Sequence, residues 1–398
     1  MKYALIIADG AADVPLDELG GKTPLEVAHI PHIDWIAANG RIGTARTIPE
    51  SMPAGSDVAI LSVLGYDPRE FYTGRAPLEA VSRGIRLGKN DWALRCNLVT
   101  VSDGLMDDYS AGHISTQEAT LIMDLLNEKL GSPDVSFHPG VSYRNLLVLR
   151  GRESFDVETT PPHDITGKEI DDYLPGGKDG KFLRQMMEAS AELLAELEVN
   201  KVRLELGENP ANMIWLWGEG QAPELPSFEE RFGKRAAVIS AVDLLKGLAI
   251  SMKMDVIVVP GATGYYDTDY GAKGRYACEA LRDYDLVFVH IEAPDEASHD
   301  GDTAKKVEAI ERIDAHVVGP VLTWMENCGQ PWRVLALPDH ATPLAVKTHT
   351  AVPVPFAMIG DGVESPREVN FSERSAAVSD LKIGAGYELM EYFLGVPG

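Results

Sequence analysis

The chain has 398 residues, with 36 basic against 61 acidic side chains and a formal net charge of −25, a field that repels nucleic acid and anionic membrane and leaves a small anion only where basic groups or metal ions gather locally. An apolar share of 45% and a charged share of 24% are those of an ordinary globular protein and exclude disordered, collagenous and coiled-coil classes. At this length two domains are expected, and about three quarters of the unfolded surface can be buried without help from a disulfide or structural metal.

Tyr3 to Ala8 is a short apolar run that stops at Asp9-Gly10, as a buried parallel strand does on reaching a loop. It is too short for a signal peptide, and no apolar run approaches the roughly 18 residues that cross a bilayer. Cys96, Cys278 and Cys328 are odd in number, far apart and without a CxxC pair, which points to a reducing compartment and a cytoplasmic protein. Trp92 to Val101, Val135 to His138 and Ser142 to Leu149 are expected strands, with a helix over Ser115 to Leu130. They predict a small α+β domain, residues 91–164, inserted into a core formed by 1–90 and 165–398. Asp179 to Glu198 reads as a long helix, Trp215 and Trp217 as aromatics packed in a core or under the following connection, and Gly218 to Phe232 as that surface connection. Ala236 to Ile250 is apolar on nearly all sides and predicts a helix, and Lys253 to Val259 a strand ending at Pro260-Gly261. Asp285 to Ile291 ends at Glu292, Thr303 to Met325 is a long amphipathic stretch, and Arg333 to Leu337 ends at Pro338-Asp339. Strands alternating with helices predict an α/β fold, a mostly parallel sheet with helices on both faces. Ligands of such sheets sit beyond the carboxyl ends of the strands, where Asp9, Asp295 and Asp339 fall.

Around those ends the polar residues cluster. In HIEAPDEASHDGD, a helix starting near Glu296 would turn Asp295 and His299 to one side, where a carboxylate and an imidazole can share a divalent ion. Asp339-His340 follows another apolar run, and His349 stands nine residues on. With Asp9 these make three carboxylates and three imidazoles, a mixed set better suited to Mn, Zn or Fe than to Ca. Six ligands exceed one ordinary site and suggest two metals about 4 Å apart, an arrangement that clamps both oxygens in phosphoryl transfer. Ser56, in Pro53-Ala54-Gly55-Ser56-Asp57, reads either as a plain N-cap or as a serine presented at a helix N-terminus, where free N–H groups favour phosphate. Neither a GxxxxGK[ST] loop nor a GxGxxG turn is present, which argues against a nucleotide-dependent kinase of the usual kind. Cations for a phosphorylated substrate could come from Arg75, Arg95, Arg144, Arg275 or Lys273, the last at the end of the loop GATGYYDTDYGAKG; His113 and His138 are weaker candidates.

From ALIIADGAAD through FYTGRAPLEA, PGATGYYDTDY, VHIEAPDEASHDGD and PDHATP to KTHT, the chain resembles the cofactor-independent phosphoglycerate mutases of the archaeal type, members of the alkaline phosphatase superfamily. That resemblance implies an alkaline-phosphatase-like core and interconversion of 3-phosphoglycerate and 2-phosphoglycerate through a phosphoserine at Ser56. It implies one metal on Asp295, His299 and His349 and another on Asp9, Ser56, Asp339 and His340, with Mn or Zn expected and neither a nucleotide nor 2,3-bisphosphoglycerate required. Lys273 would steady the transferring phosphate, and Arg144 would grip the substrate from an inserted domain that closes to exclude water. Asp108, Arg75, His113 and Arg95 complete the expected substrate-binding set. The implied partner is a small phosphorylated metabolite, not nucleic acid or membrane, and a homo-oligomer is left open.

The substrate region departs from the family's pattern. Where archaeal mutases carry a motif resembling DRRAGRI, this chain reads Asp108-Tyr109-Ser110-Ala111-Gly112-His113-Ile114, and Glu219 stands where relatives tend to have arginine. Neither Tyr109 nor His113 offers the two-pronged donor set of arginine. HIEAPDEASH also resembles a bacterial branch often labelled as proposed homoserine kinases. The alternative function is therefore metal-dependent phosphoryl transfer or phosphatase chemistry on another small substrate, such as homoserine or its phosphate.

Overall fold

Strand β1 (Lys2–Ala8) alternates its side chains between two faces, yet every residue in it is buried, so both faces of its sheet are covered. The computed structural model describes residues 1–363 and 369–395. Their contacts separate into two compact units, one made of residues 1–72 with 224–398 and the other of 73–223.

The first unit is built on an eight-stranded sheet among the described residues. Its strands are β1, β2 (Arg41–Ala45), β8 (Ala236–Ile239), β9 (Asp255–Val256), β10 (Leu286–Ile291), β11 (Trp332–Leu337), β12 (Val354–Gly360) and β13 (Lys382–Ile383), in the order β13-β2-β12-β11-β1-β10-β8-β9. β1 pairs in parallel with β10 and β11, and β8 continues the parallel set. Only β12 runs antiparallel to its neighbours β11 and β2. One face of β1, through Ala4, Ile6 and Ala8, packs with Ile33 and Ile36 of helix Pro31–Asn39 and Ile310 and Ile313 of helix Thr303–Ile313. No helix among the described residues is long and apolar enough to cross a membrane.

The second unit carries an antiparallel sheet of β3 (Trp92–Ser102), β4 (Leu105–Asp108), β5 (Val135–Val141), β6 (Arg144–Leu149) and β7 (Met213–Gln221). Helix Thr116–Leu130 is started by a reciprocal cap between Ser115 and Glu118. It buries Ala119, Ile122, Met123 and Leu126, the three-and-four spacing of one helical face. Trp215 and Trp217 lie in this unit's core, as expected.

Several expected boundaries move. The inserted unit spans 73–223 rather than 91–164, because β7 pairs along most of β3 and helix Arg75–Ser82 packs its Ala76 and Ala80 against Ala93 and Leu146 of that sheet. Gly218 to Phe232 is not one connection: its first residues finish β7, and its last form the helix Phe228–Phe232. The helix expected over Ala236 to Ile250 is strand β8 followed by helix Asp243–Ser251. The strand expected over Lys253 to Val259 shrinks to Asp255–Val256, since Val258 turns out to solvent.

Candidate metal centre

The register of the three central strands sets the site. Ala8 lies beside Ile291, and Ile7 beside Leu337, so Asp9, Glu292 and Asp339 all leave the sheet at one edge. Helix Ala293–Asp300 then starts at once, and its four-residue spacing turns His299 back toward Asp295, with Nε2 3.1 Å from Asp295 Oδ2. Gly10 has φ +63°, and a Cβ there would come within 2.4 Å of Asp295 Oδ1, so only glycine lets the β1 loop pass this close.

Two groups of potential ligands result, each with its donor atoms within 4.8 Å of one another: Asp295, His299 and His349, and Asp9, Asp339 and His340. In the first, His299 Nε2 and His349 Nε2 face each other at 3.0 Å. His299 Nδ1 lies 2.9 Å from the carbonyl of Lys347, which can only accept, so Nδ1 carries a proton and Nε2 is the atom offered to the set. In the second, His340 Nε2 is 3.3 Å from Asp9 Oδ1 and 3.5 Å from Asp339 Oδ2. Ser56 is the first residue of helix Ser56–Val63, preceded by Gly55 at the N-cap. It is therefore not the cap itself, and its Oγ lies 3.0 Å from His340 Nε2.

These residues fit divalent cations. Asp9 Oδ1, Asp339 Oδ2 and Glu292 Oε2 are buried and make no hydrogen bond among the described residues. Stripping carboxylate oxygens of water without a donor is costly, and a cation offsets that cost. The same crowding raises Asp9 well above the usual carboxylate range, through burial first and then through Asp339, Glu292 and Asp295. Burial alone would raise Asp295 too, but its hydrogen bonds with His299 and His349 hold it well below that range.

Two residues of the cluster are not among the expected ligands. His290 lies within β10, fully buried, with Nε2 2.8 Å from Asp9 Oδ2. Glu292 follows it, its Oε2 3.7 Å from the same nitrogen, and the three form a further group of potential ligands. A histidine inside the apolar run DLVFVHI was the one available signal. Lys273 is fully buried on helix Tyr270–Ala280 and donates to His290 O at 3.1 Å. Burial lowers its pKa to about 8, against the pull of Glu292.

A stability prediction follows from two other shifts. Burial and then Asp295 raise Glu292 to about 8, and the hydrogen bond to Asp295 raises His299 to about 9. For Glu292, folding takes up a proton above the ordinary carboxylate range, so stability falls as pH rises toward about 8. The stability contributed by His299 is complete below its ordinary value of 6.5 and is lost as pH rises through about 9. Both act in the same direction between pH 6.5 and 8, while Lys273 opposes them only above about 8. Metal ligation displaces these protons. Melting curves of chelated and Mn²⁺-loaded protein should therefore show a larger gain in Tm from metal at pH 8 than at pH 6. An equal gain at both would contradict this account.

The expected substrate residues all belong to the second unit. Arg95, Arg75 and Arg144 all act electrostatically on His163, whose pKa is lowered by burial and then by these guanidinium groups against the pull of Asp164. No local pattern marks His163 in the sequence, where it stands in the loop Thr159 to Asp164. Its ring lies 5.4 Å from Trp217 and 6.1 Å from Tyr109. Arg95 stacks over Trp217 at 4.7 Å and pairs with Glu79, and the exposed Arg144 stacks over Tyr143 at 5.0 Å. His113 is exposed, 6.2 Å from Tyr143, at the left-handed φ of +51°. Asp108 is held by the turn that follows it. Its oxygens accept from the backbone of Ser110 and Gly112, the Ser110 hydroxyl and the Asn209 amide. Burial would raise it, but those donors hold it at about 2, and they shape the turn that carries His113. Glu219 accepts from Thr159 Oγ1 at 2.5 Å.

Known proteins resemble this chain in sequence and fold. The profile of the family described as 2,3-bisphosphoglycerate-independent phosphoglycerate mutase matches residues 37–200. A protein of Methanosarcina barkeri bearing that name is 51% identical over 391 residues, 98% of each chain. One of Methanothrix thermoacetophila, with the same name, is 52% identical and covers 99% of this chain and 100% of its own. The structure of the cofactor-independent phosphoglycerate mutase from Thermoplasma acidophilum superposes with a TM-score of 0.67 at 27% identity, covering 100% of both chains.

Proposed function

Because the chain belongs to the 2,3-bisphosphoglycerate-independent phosphoglycerate mutase family, we propose that it interconverts 3-phosphoglycerate and 2-phosphoglycerate through a phosphoserine at Ser56. The observation that carries this reading is the position of Ser56, with Oγ 3.0 Å from His340 Nε2, beside buried carboxylate oxygens that have no hydrogen-bond donor among the described residues. Two divalent ions, Mn²⁺ or Zn²⁺, held by Asp295, His299 and His349 and by Asp9, Ser56, Asp339 and His340, would lower the pKa of the serine hydroxyl and neutralise charge on the phosphoryl oxygens.

Ser56 Oγ attacks phosphorus, the bond to the 3-oxygen of the substrate breaks, and that oxygen takes a proton in place of the one the serine gives up. Glycerate turns, its 2-hydroxyl loses a proton as it takes the phosphoryl group, and Ser56 regains its own. Lys273 spends one N–H on the His290 carbonyl and has two left for the equatorial oxygens of the transferring group. Its buried setting strengthens those bonds. Arg75, Arg95 and Arg144 supply the guanidinium groups that recognise glycerate carboxylate and hydroxyls. Aromatic stacking of Arg95 and Arg144 pre-orients them.

The test is ³¹P NMR of Mn²⁺-loaded protein with 3-phosphoglycerate, without nucleotide or 2,3-bisphosphoglycerate. Appearance of 2-phosphoglycerate faster than inorganic phosphate is the expected result. Turnover below the phosphatase background would remove the proposal. Activity on homoserine phosphate, or on homoserine with a phosphoryl donor, would favour the alternative raised by Tyr109, His113 and Glu219.

A further inference from the structure

Thr342 lies two residues past His340, in the turn after β11, and is fully buried. Its Oγ1 is 2.5 Å from Asp295 Oδ1 and 3.1 Å from His340 Nδ1, so one hydroxyl touches a member of each ligand group. A hydroxyl has one hydrogen to give. A carboxylate able to hold a cation is ionised and only accepts, so that hydrogen goes to Asp295. The oxygen can then meet His340 only as an acceptor. His340 Nδ1 must therefore carry a proton, and Nε2 presents its lone pair to Asp9, Asp339 and Ser56. The turn itself is pinned: Thr342 N donates to Ala12 O at 3.2 Å, and Thr342 O accepts at 2.9 Å from the buried Lys306, which pairs with Asp13 at 2.8 Å.

We propose that Thr342 is a positioning residue that couples the two metal-ligand groups, its hydroxyl fixing the tautomer of His340 and the orientation of Asp295 together. The proposal rests on the metal-centre reading above. It predicts that the two groups lose cation affinity jointly when the hydroxyl is removed, although Thr342 ligates neither metal.

Metal-free wild type, Thr342→Val and Thr342→Ser would be titrated with Mn²⁺ by calorimetry, with free Mn²⁺ followed by electron paramagnetic resonance. Valine keeps the shape and removes the hydroxyl; it should weaken Mn²⁺ binding by about 10–100-fold at both groups, the usual effect of losing a residue that orients a ligand. Serine, which restores the hydroxyl, should retain the wild-type constants. Wild-type affinity in the valine protein would overturn the proposal, as would equal loss in both variants, which would trace the effect to methyl packing. Loss confined to one group would likewise overturn it. Should the valine protein fail to fold, ¹⁵N-histidine NMR of metal-free wild type decides the matter: the Nδ1–H tautomer at His340 is required, and the Nε2–H tautomer overturns the proposal. Wild type that binds no Mn²⁺ would sink both this inference and the metal-centre reading, whereas unaltered binding in Thr342→Val sinks this inference alone.

Discussion

Replacing Ser56 with alanine is expected to abolish phosphoryl transfer while leaving the fold and the first ligand group in place. The side chain sits at a helix start, its Oγ 3.0 Å from His340 Nε2 of the second ligand group. With the nucleophile removed, kcat should fall by at least about 10³-fold, as in other enzymes whose covalent step is deleted. Stability should change little, because the lost hydrogen bond is worth about 1 kcal/mol and Gly55, not Ser56, is the helix cap. Asp295, His299 and His349 keep their mutual contacts, so a Mn²⁺ titration should still show binding at that group. The check is a quenched reaction with ³²P-labelled 3-phosphoglycerate followed by mass spectrometry of the protein. Label on Ser56 in wild type and none in the variant is the expected outcome. A variant that keeps a tenth of the activity would show that the phosphoryl group does not pass through this serine.

Much of this site can be read from the chain because three buried strands end in polar residues. The runs closing at Asp9, Glu292 and Asp339 are mostly apolar, and parallel pairing of β1 with β10 and β11 carries their ends to one edge. The i, i+4 pair Asp295 and His299 needed only a helix, which Ala293–Asp300 supplies. His290 carries little signal of its own because it lies inside the run, where a buried imidazole looks like any core residue; only the fold brings Asp9, just past the end of β1, to 2.8 Å. Thr342 escaped because its significance depends on Asp295, 47 residues distant. In the fold, the short strand β8 merges with the apolar pattern of the following helix, so periodicity alone does not separate them. β2 and β12 carry weak strand signals, because RIGTA is short and mixed and β12 holds Pro355 within its run. The extent of the second unit depended on β7 returning to β3 across more than a hundred residues, a pairing that no local pattern announces.

Asp9→Asn should separate function from stability, because Asp9 is the buried carboxylate on which the like charges of the site converge. Burial raises its pKa well above the ordinary range, and Asp339, Glu292 and Asp295 raise it further. In metal-free protein, folding must therefore protonate Asp9, and that cost is absent below the ordinary carboxylate range and grows as pH rises toward the elevated value. Asparagine removes this titration yet keeps an oxygen to accept from His290 Nε2, 2.8 Å from Asp9 Oδ2 in wild type. Chelated Asp9→Asn should consequently melt above chelated wild type by about 2–5 °C near pH 8, with the difference shrinking toward pH 5. Activity should move the other way, falling by about 10²-fold or more, because the second ligand group loses an anionic donor to metal. Differential scanning calorimetry of both proteins with and without chelator reads the first effect, and the 3-phosphoglycerate assay reads the second. A chelated variant less stable than wild type across this range would mean that hydrogen bonds, not charge crowding, dominate at Asp9, and the electrostatic case for a cation beside it would fail.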